Sequence, residues 1–200
     1  MLVFKELIYN GVNQGNIPAR TRLARDWYRD AASQVLDGKR SLKPASIERE
    51  FEEKRKVSRV EPGTMYMFRY DPKHKKTLPY YDVFPVVFPI KMEQDGFVGI
   101  NFHYLPPTFR ANLMDALYSI TTDKRYDENT KVLATYNILQ KASKFKYFKP
   151  TVKRYLSKFV RSPFMQITAA EWDIAIFLPV ENFKKASKED VWAESRKMVK

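Results

Sequence analysis

The chain has 200 residues, and its 36 lysine and arginine residues against 23 aspartate and glutamate residues give a formal net charge of +13. It is long and apolar enough to bury a hydrophobic core. Because it contains no cysteine, it can form neither disulfides nor a zinc site with cysteine ligands. No apolar run approaches the roughly 20 residues of a membrane span, and the N-terminus lacks a signal-peptide pattern, so we expect a soluble protein away from membranes. A chain this basic attracts polyanions, which favours a nucleic acid partner.

Residues 1–60 are predicted to form a helical, charged arm. A helical pattern begins near Ile17-Pro18 and ends at Asp37-Gly38, and residues 45–59 follow as a solvated helix or an arm that orders on binding. Arginines on one face of the first helix are candidates for phosphate contacts, although pairing with nearby aspartates on a surface helix is the alternative. They are Arg22, Arg25 and Arg29.

Residues 61–200 are predicted to form an α+β core domain. Its sheet is expected over about 62–105, as a small curved antiparallel sheet or partial barrel with strands near 64–70, 83–92 and 97–104. A further short strand is predicted near 174–178. Because Pro85 and Pro89 cannot donate to a ladder, the strand that contains them is expected at an edge or with a bulge.

Several helices are predicted to pack against this sheet. They begin near Pro106, after a capping Asp127, near Pro150 and after a capping Ser187. The helix after Asp127 is expected to bury one apolar face. That face comprises Val132, Leu133, Tyr136, Leu139 and Ala142.

A run of basic residues carries the functional argument. No acidic residue occurs between Asn129 and Ala170, and an all-positive helical face costs stability unless a polyanion neutralises it. Lysine contacts to phosphate carry no sequence information, so we expect non-specific, salt-sensitive binding. The predicted nucleic-acid-binding residues of this segment, termed the basic ribbon, are Lys141, Lys144, Lys146, Lys149, Lys153, Arg154, Lys158 and Arg161.

Aromatic residues interleave the basic ribbon. An exposed Tyr147 or Phe145 could stack on a base or on a duplex end, whereas the other aromatics of the segment are interpreted as core residues. The turn containing Lys73, Lys75 and Lys76 is a third, weaker basic patch.

No catalytic, metal or cofactor motif is recognisable, so we expect neither an enzyme nor a cofactor. His74 and His103 do not lie at metal-ligand spacing from other ligands, and His103 is interpreted as a hydrogen-bonded structural histidine. Glu171 and Asp173 are interpreted as a local cap or a salt bridge to a nearby lysine rather than as a catalytic pair. There is no phosphate-binding glycine loop and no nucleophile elbow.

Several stretches resemble a known family. MYMFRYDPKHKKTLPYYDVFPVVFPI, GFVGINFHYLPPTFRANLMDALY, EWDIAIFLPVENF and VWAESRKM are similar to virion-associated proteins of T-even-like contractile-tailed bacteriophages, the family of the DNA end protector. The resemblance runs from about Arg20 to the end of the chain. It transfers no catalytic motif.

The resemblance implies a virion protein that binds the terminus of packaged double-stranded DNA, shields it and helps to complete filled heads. It implies other virion proteins of the head-neck-tail axis as partners, and the host cytoplasm as the location during assembly. The alternative is a structural neck, tail-completion or baseplate component that acts through protein contacts. Tyr80 and Tyr81, between two prolines, are interpreted as supporting the fold, with an interaction surface as the alternative.

Overall fold

The computed structural model describes residues 53–121, 123–176, 178 and 180–199, together with Tyr9, Arg49 and Phe51. The predicted helix at the N-terminus, with its candidate residues Arg22, Arg25 and Arg29, lies outside these residues. A boundary at residue 60 between an arm and a core stays a prediction.

The centre of the fold is a six-stranded sheet in which every pairing is antiparallel. The spatial order of its strands is β1-β7-β2-β4-β5-β6, and a separate pair consists of β3 and β8. The strands are β1 Lys56–Val57, β2 Met65–Met67, β3 Tyr81–Asp82, β4 Val86–Glu93, β5 Gly96–Asn101, β6 Val152–Leu156, β7 Phe164–Ile167 and β8 Phe183–Lys184.

Both faces of the sheet are apolar. Successive side chains point to opposite sides of a strand, and here alternate residues enter two different apolar clusters. Met65 and Met67 belong to the larger cluster, which residues of the helices also join. Tyr66 and Phe68 belong to a second cluster that is mostly aromatic. The connection from β6 to β7 covers this second face, and Tyr70 forms a β-bridge with Val160 of that connection.

Four α-helices complete the described part of the chain: α1 Pro107–Thr121, α2 Glu128–Ala142, α3 Trp172–Ala175 and α4 Lys188–Val199. The Asp127 carboxylate caps α2 by accepting from the Thr130 amide at 2.7 Å. At α4, the Ser187 hydroxyl accepts from the Asp190 amide while the Asp190 carboxylate accepts from the Ser187 amide. Both caps were predicted from the sequence.

The predicted α+β class with an antiparallel sheet is confirmed, and the sheet is not closed, but two elements were predicted wrongly. Residues 150–159 are not an α-helix, because the 3-10 helix Lys146–Thr151 contains Pro150 and is followed by β6, which pairs with β5. Residues 174–178 are not a strand, because a capping box between Thr168 and Glu171 starts a turn that leads into α3. The sheet therefore extends well beyond residues 62–105.

The proline-rich strand contains the expected irregularity. β4 lies inside the sheet, between β2 and β5, and its register shifts between Pro89 and Lys91. Proline cannot donate a ladder hydrogen bond, and a bulge at this point accommodates it.

A buried ion pair joins α1 to the segment before β8. The Arg110 side chain is 1% exposed and lies 2.5 Å from Glu181, which is 5% exposed. The same guanidinium donates to the carbonyls of Leu105 and Ile176, both at 2.7 Å. Burial would raise the pKa of Glu181, but the positive charge of Arg110 opposes it and the pKa lies below its ordinary value.

Residues before β2 also attach to the core. Phe51 is buried in the larger cluster, and β1 pairs with β7. Arg55 lies 2.5 Å from the Glu171 carboxylate, which also accepts from the Thr168 amide. Glu171 thus serves as a local cap, as the sequence indicated, and its salt-bridge partner is Arg55 rather than a nearby lysine.

We expect Gly96→Ala to destabilise the protein by roughly 1–3 kcal/mol, because a methyl group here overlaps the facing strand. An added Cβ would lie 1.9 Å from the Tyr155 carbonyl oxygen, so β6 would have to move away from β5. Urea unfolding measures the change. Gln94→Ala, at an exposed position of the same hairpin, is the control, and equal midpoints for Gly96→Ala and the wild type would contradict this prediction.

Candidate nucleic-acid interface

Four lysines of the basic ribbon are exposed and have no ion-pair partner among the residues that the structure describes. Lys141 lies in the last turn of α2, and Lys144 follows that helix directly. Lys149 lies in the 3-10 helix Lys146–Thr151, and Lys158 lies in the short 3-10 helix after β6. These four ammonium groups are the part of the ribbon that is available to phosphates.

Two arginines of the ribbon are instead paired with acidic residues from other parts of the chain. Arg154 lies 2.7 Å from Glu93 and 2.8 Å from Asp95, at the β4–β5 hairpin. Arg161 lies 3.9 Å from Asp71. Acidic residues from outside the segment 129–170 therefore neutralise part of its positive charge in the folded chain. Less positive charge is left to attract an external anion.

Some aromatic residues of the basic ribbon are buried and others are exposed, as expected. Tyr155 is buried, and Phe148 and Phe159 are half-buried against the two apolar clusters. Phe145 is 61% exposed at the end of α2, where its ring is accessible to a partner. The side chain of Tyr147 lies outside the described part of the structure. Lys146 is also exposed, and it already interacts with another group of the protein.

The edge strand β6 sets the length of the ribbon. It is the last strand in the sheet order, and its five residues lie between Lys149 and Lys158. The exposed lysines Lys149 and Lys158 thus flank an edge strand of the sheet.

Lys153, the remaining residue of the ribbon, points into a cavity of about 350 Å³. The Lys153 Nζ lies 4.0 Å from the centre of the Tyr104 ring. Burial lowers the pKa of Lys153 to about 8, and nearby Glu194 opposes this shift in part. No carboxylate of the described residues lies within salt-bridge distance of this ammonium. The cavity is lined by Tyr70, Pro72, Lys73, His74, Leu78, Tyr80, Tyr81, Asp82, Tyr104, Lys153, Arg154, Tyr155 and Leu156.

Aromatic rings form one wall of this cavity. The ring centres of Tyr80 and Tyr104 are 6.0 Å apart, and Phe183 packs edge-on against both. Burial and the charge of Glu194 raise the pKa of Tyr80 to about 12. Burial also raises the pKa of Tyr104, so both phenols are neutral at physiological pH.

The turn over residues 71–79 forms the rim of the cavity. Lys185 stabilises this turn, because its ammonium donates to the carbonyls of Lys76 and Leu78, both at 2.8 Å. Lys73 and His74 are exposed on this rim. The weak basic patch predicted at 73–76 is thereby brought beside Lys153, from which it is separated by about 80 residues of sequence.

A buried hydrogen-bond network lies behind the cavity. Asp82 is 2.7 Å from the His103 Nδ1, and it accepts from the Asn101 amide group at 3.0 Å. Asn101 also donates to the Tyr155 hydroxyl at 3.0 Å. His103 is therefore a buried, hydrogen-bonded histidine, as the sequence indicated, and the network fixes β3, β5 and β6 relative to one another.

Sequence reasoning missed the cavity because its walls come from four separate segments. The available signal was the YY pair within LPYYDVFPVVF, whose two tyrosines line the cavity. Those residues both support the fold and form a surface, so the two interpretations of Tyr80 and Tyr81 are compatible. Among the described residues, no cluster of three or more histidine, aspartate or glutamate side chains could hold a metal ion.

Comparison with known proteins gave a match to one family model. Neither a search of curated proteins nor a search of solved structures gave a significant match. No helix in the described ranges is both long enough and apolar enough to cross a membrane. Residues 45–198 match the family described as the phage T4 terminal DNA protecting protein. That match spans the sheet, the basic ribbon and the cavity, and the chain therefore belongs to the phage T4 family of terminal DNA protecting proteins.

Proposed function

We propose that the protein binds the terminus of packaged double-stranded DNA without reading its sequence and shields that terminus by occupying it. The observation that carries this proposal is the set of four exposed ribbon lysines without acidic partners among the described residues, Lys141, Lys144, Lys149 and Lys158. Membership of a family of DNA protecting proteins supports DNA as the polyanion that they contact.

The chemistry of these lysines favours contact with the DNA backbone. An ammonium group meets phosphates that are the same at every base pair, so it fixes position without reading bases. Each phosphate contact releases counterions and makes the affinity fall steeply with salt. The exposed Phe145 ring is available beside these lysines to stack on the last base pair.

The proposed role requires neither catalysis nor a cofactor. A bound protein blocks an exonuclease because both need the same last nucleotides of the duplex. We propose that the protein occupies this position in the virion and that it contacts other proteins of the head-neck-tail axis. Before packaging is complete, it would be in the host cytoplasm.

One surface favours a second candidate function, that of a structural virion component that acts through protein contacts. Val132 and Leu133 on α2 were predicted to be core residues, but they are 42% and 60% exposed. Only the C-terminal half of that predicted apolar face, with Leu139 and Ala142, is buried. These two exposed aliphatic side chains could contribute to a protein contact if they belong to a larger apolar patch.

A fluorescence titration with a linear duplex and a closed circle of the same sequence separates these functions. The end protector binds the linear form more tightly, and its affinity falls as salt rises. Equal affinity for the two forms would overturn recognition of the end. Absence of binding to both at moderate salt would favour the structural component.

We expect the double variant Lys144→Ala/Lys149→Ala to reduce the slope of log affinity against log salt by about 1.8, since each lost phosphate contact contributes about 0.9. Lys124→Ala/Arg125→Ala is the charge-matched control. These residues precede α2, whose 15 residues place them about 21 Å from Lys144. If the two double variants reduce the slope equally, net charge rather than the ribbon determines binding.

A further inference from the structure

The cavity around Lys153 combines two kinds of group that a simple phosphate-binding surface does not need. One kind is cationic, with Lys153 inside and Lys73 on the rim. The other is aromatic, with the rings of Tyr80 and Tyr104 on one wall. Stacking rings next to ammonium groups are the elements by which proteins hold a single nucleotide.

The state of Lys153 indicates that the cavity favours an anion. Its ammonium contacts the face of the Tyr104 ring and has no salt bridge to any described carboxylate. The one carboxylate that lines the cavity, Asp82, is buried and already bonded to His103 and Asn101. The lowered pKa of Lys153 agrees with this geometry. Burial disfavours its charged form, and a bound phosphate would stabilise that form again.

The cavity has the size and the rigidity of a small-ligand site. Its volume of about 350 Å³ lies within the range of roughly 300–1,000 Å³ that is usual for such sites. Its back wall is fixed by the Asn101 and Tyr155 hydrogen bond, and its rim is fixed by Lys185. Such a preformed site loses little conformational entropy when it binds its ligand.

We propose that this cavity receives the strand-terminal nucleotide of the duplex end, with its 5′-phosphate on Lys153 and Lys73 and its base against the Tyr80 ring. This inference rests on the proposed function and adds to it. The ribbon lysines hold the flank of the duplex, and the cavity distinguishes an end from internal DNA. An internal phosphate cannot enter, because its neighbours on both sides keep it on the surface of the helix.

A blunt duplex closed by a hairpin at its other end tests the cavity, with a 5′-phosphate or a 5′-hydroxyl on the open end. The wild-type protein is expected to bind the phosphorylated end about 10-fold more tightly or better, as for a hydrogen bond to a charged group. Lys153→Met is expected to abolish this preference, to reduce the salt slope by about 0.9 with the phosphorylated end, and to leave the slope with the 5′-hydroxyl end unchanged. Lys73→Ala on the exposed rim is expected to reduce it, and Lys124→Met is the control.

Different outcomes overturn different claims. If wild-type protein prefers linear to circular DNA but ignores the 5′-phosphate, or if both cavity variants keep the preference, the cavity is not the end site and the proposed function stands. If linear and circular DNA bind equally, the proposed function fails, and the cavity proposal fails with it. If dAMP binds the wild type but not Lys153→Met, and does not compete with the duplex end, the ligand is a free nucleotide and our assignment is wrong.

The Lys153→Met variant can be checked for folding independently. Methionine keeps the length and the apolar stem of the side chain, and replacing a partly buried ammonium removes a desolvation cost. We therefore expect its thermal unfolding midpoint to equal or exceed that of the wild type. Loss of end preference at an unchanged midpoint assigns the effect to the site rather than to the fold.

Discussion

Arg110→Met should destabilise the protein by about 3–5 kcal/mol, the cost of removing one partner from a buried ion pair. Methionine fills much of the same space, but it leaves Glu181 charged and nearly fully buried without its cation. It also leaves the carbonyls of Leu105 and Ile176 without their donor. Denaturant unfolding at pH 7 measures this loss directly.

The pH dependence of this variant provides a second test. The folded-state pKa of Glu181 is lowered, so the pair stabilises the wild type above the unfolded-state pKa near 4.5. This stability is lost as pH falls through the lower folded-state pKa, because Glu181 then becomes protonated. The difference between Arg110→Met and the wild type should therefore shrink in acid, and a difference that is constant with pH would contradict the charge argument.

The double variant Arg110→Met/Glu181→Gln is the matched control for the same pair. A neutral amide avoids the uncompensated charge, so at pH 7 it should recover part of the stability that Arg110→Met loses. A double variant that is less stable than Arg110→Met would show that the glutamate has another partner of greater importance.

Asp82→Ala should cost about 3 kcal/mol, because one carboxylate satisfies several buried donors. It accepts from Asn101 and from the Phe84 amide, and it contacts the His103 ring. Each of these groups would be left buried without an acceptor. Thermal unfolding followed by circular dichroism measures the loss.

Asp95→Ala is the matched control for this second prediction. Asp95 is exposed and pairs with Arg154 at the surface, where an ion pair contributes about 0–1 kcal/mol. Equal midpoints for Asp82→Ala and Asp95→Ala would show that the network behind the cavity contributes no more than a surface pair.

The elements that could be predicted from the sequence are those with local signals. Asp127 and Ser187 mark helix starts by their own side chains, and the Gln94-Asp95-Gly96 turn joins two strands that pair as expected. β6 was missed because its lysines and aromatics resemble a helical face, and only pairing with β5 makes the segment a strand. In such cases tertiary contacts outweigh local propensity.

The candidate site likewise has one part that the local sequence predicts and one part that it does not. The concentration of lysines at 141–161 is visible in the sequence, and four of them prove to be exposed and without acidic partners among the described residues. The neutralisation of Arg154 by Glu93 and Asp95 was not predictable, since about 60 residues separate these groups. The cavity was equally hidden, because the 71–79 turn and β6 meet only in the folded chain.

The position of β6 at the end of the sheet has a consequence for solubility. An unpaired strand edge is a template on which a second copy of a chain can add and begin to aggregate. Here the exposed lysines on either side of β6 give that edge a strong positive charge, so two copies repel each other when they approach edge to edge. We therefore expect that neutralising the residues proposed to hold DNA would also favour association of two copies along this edge.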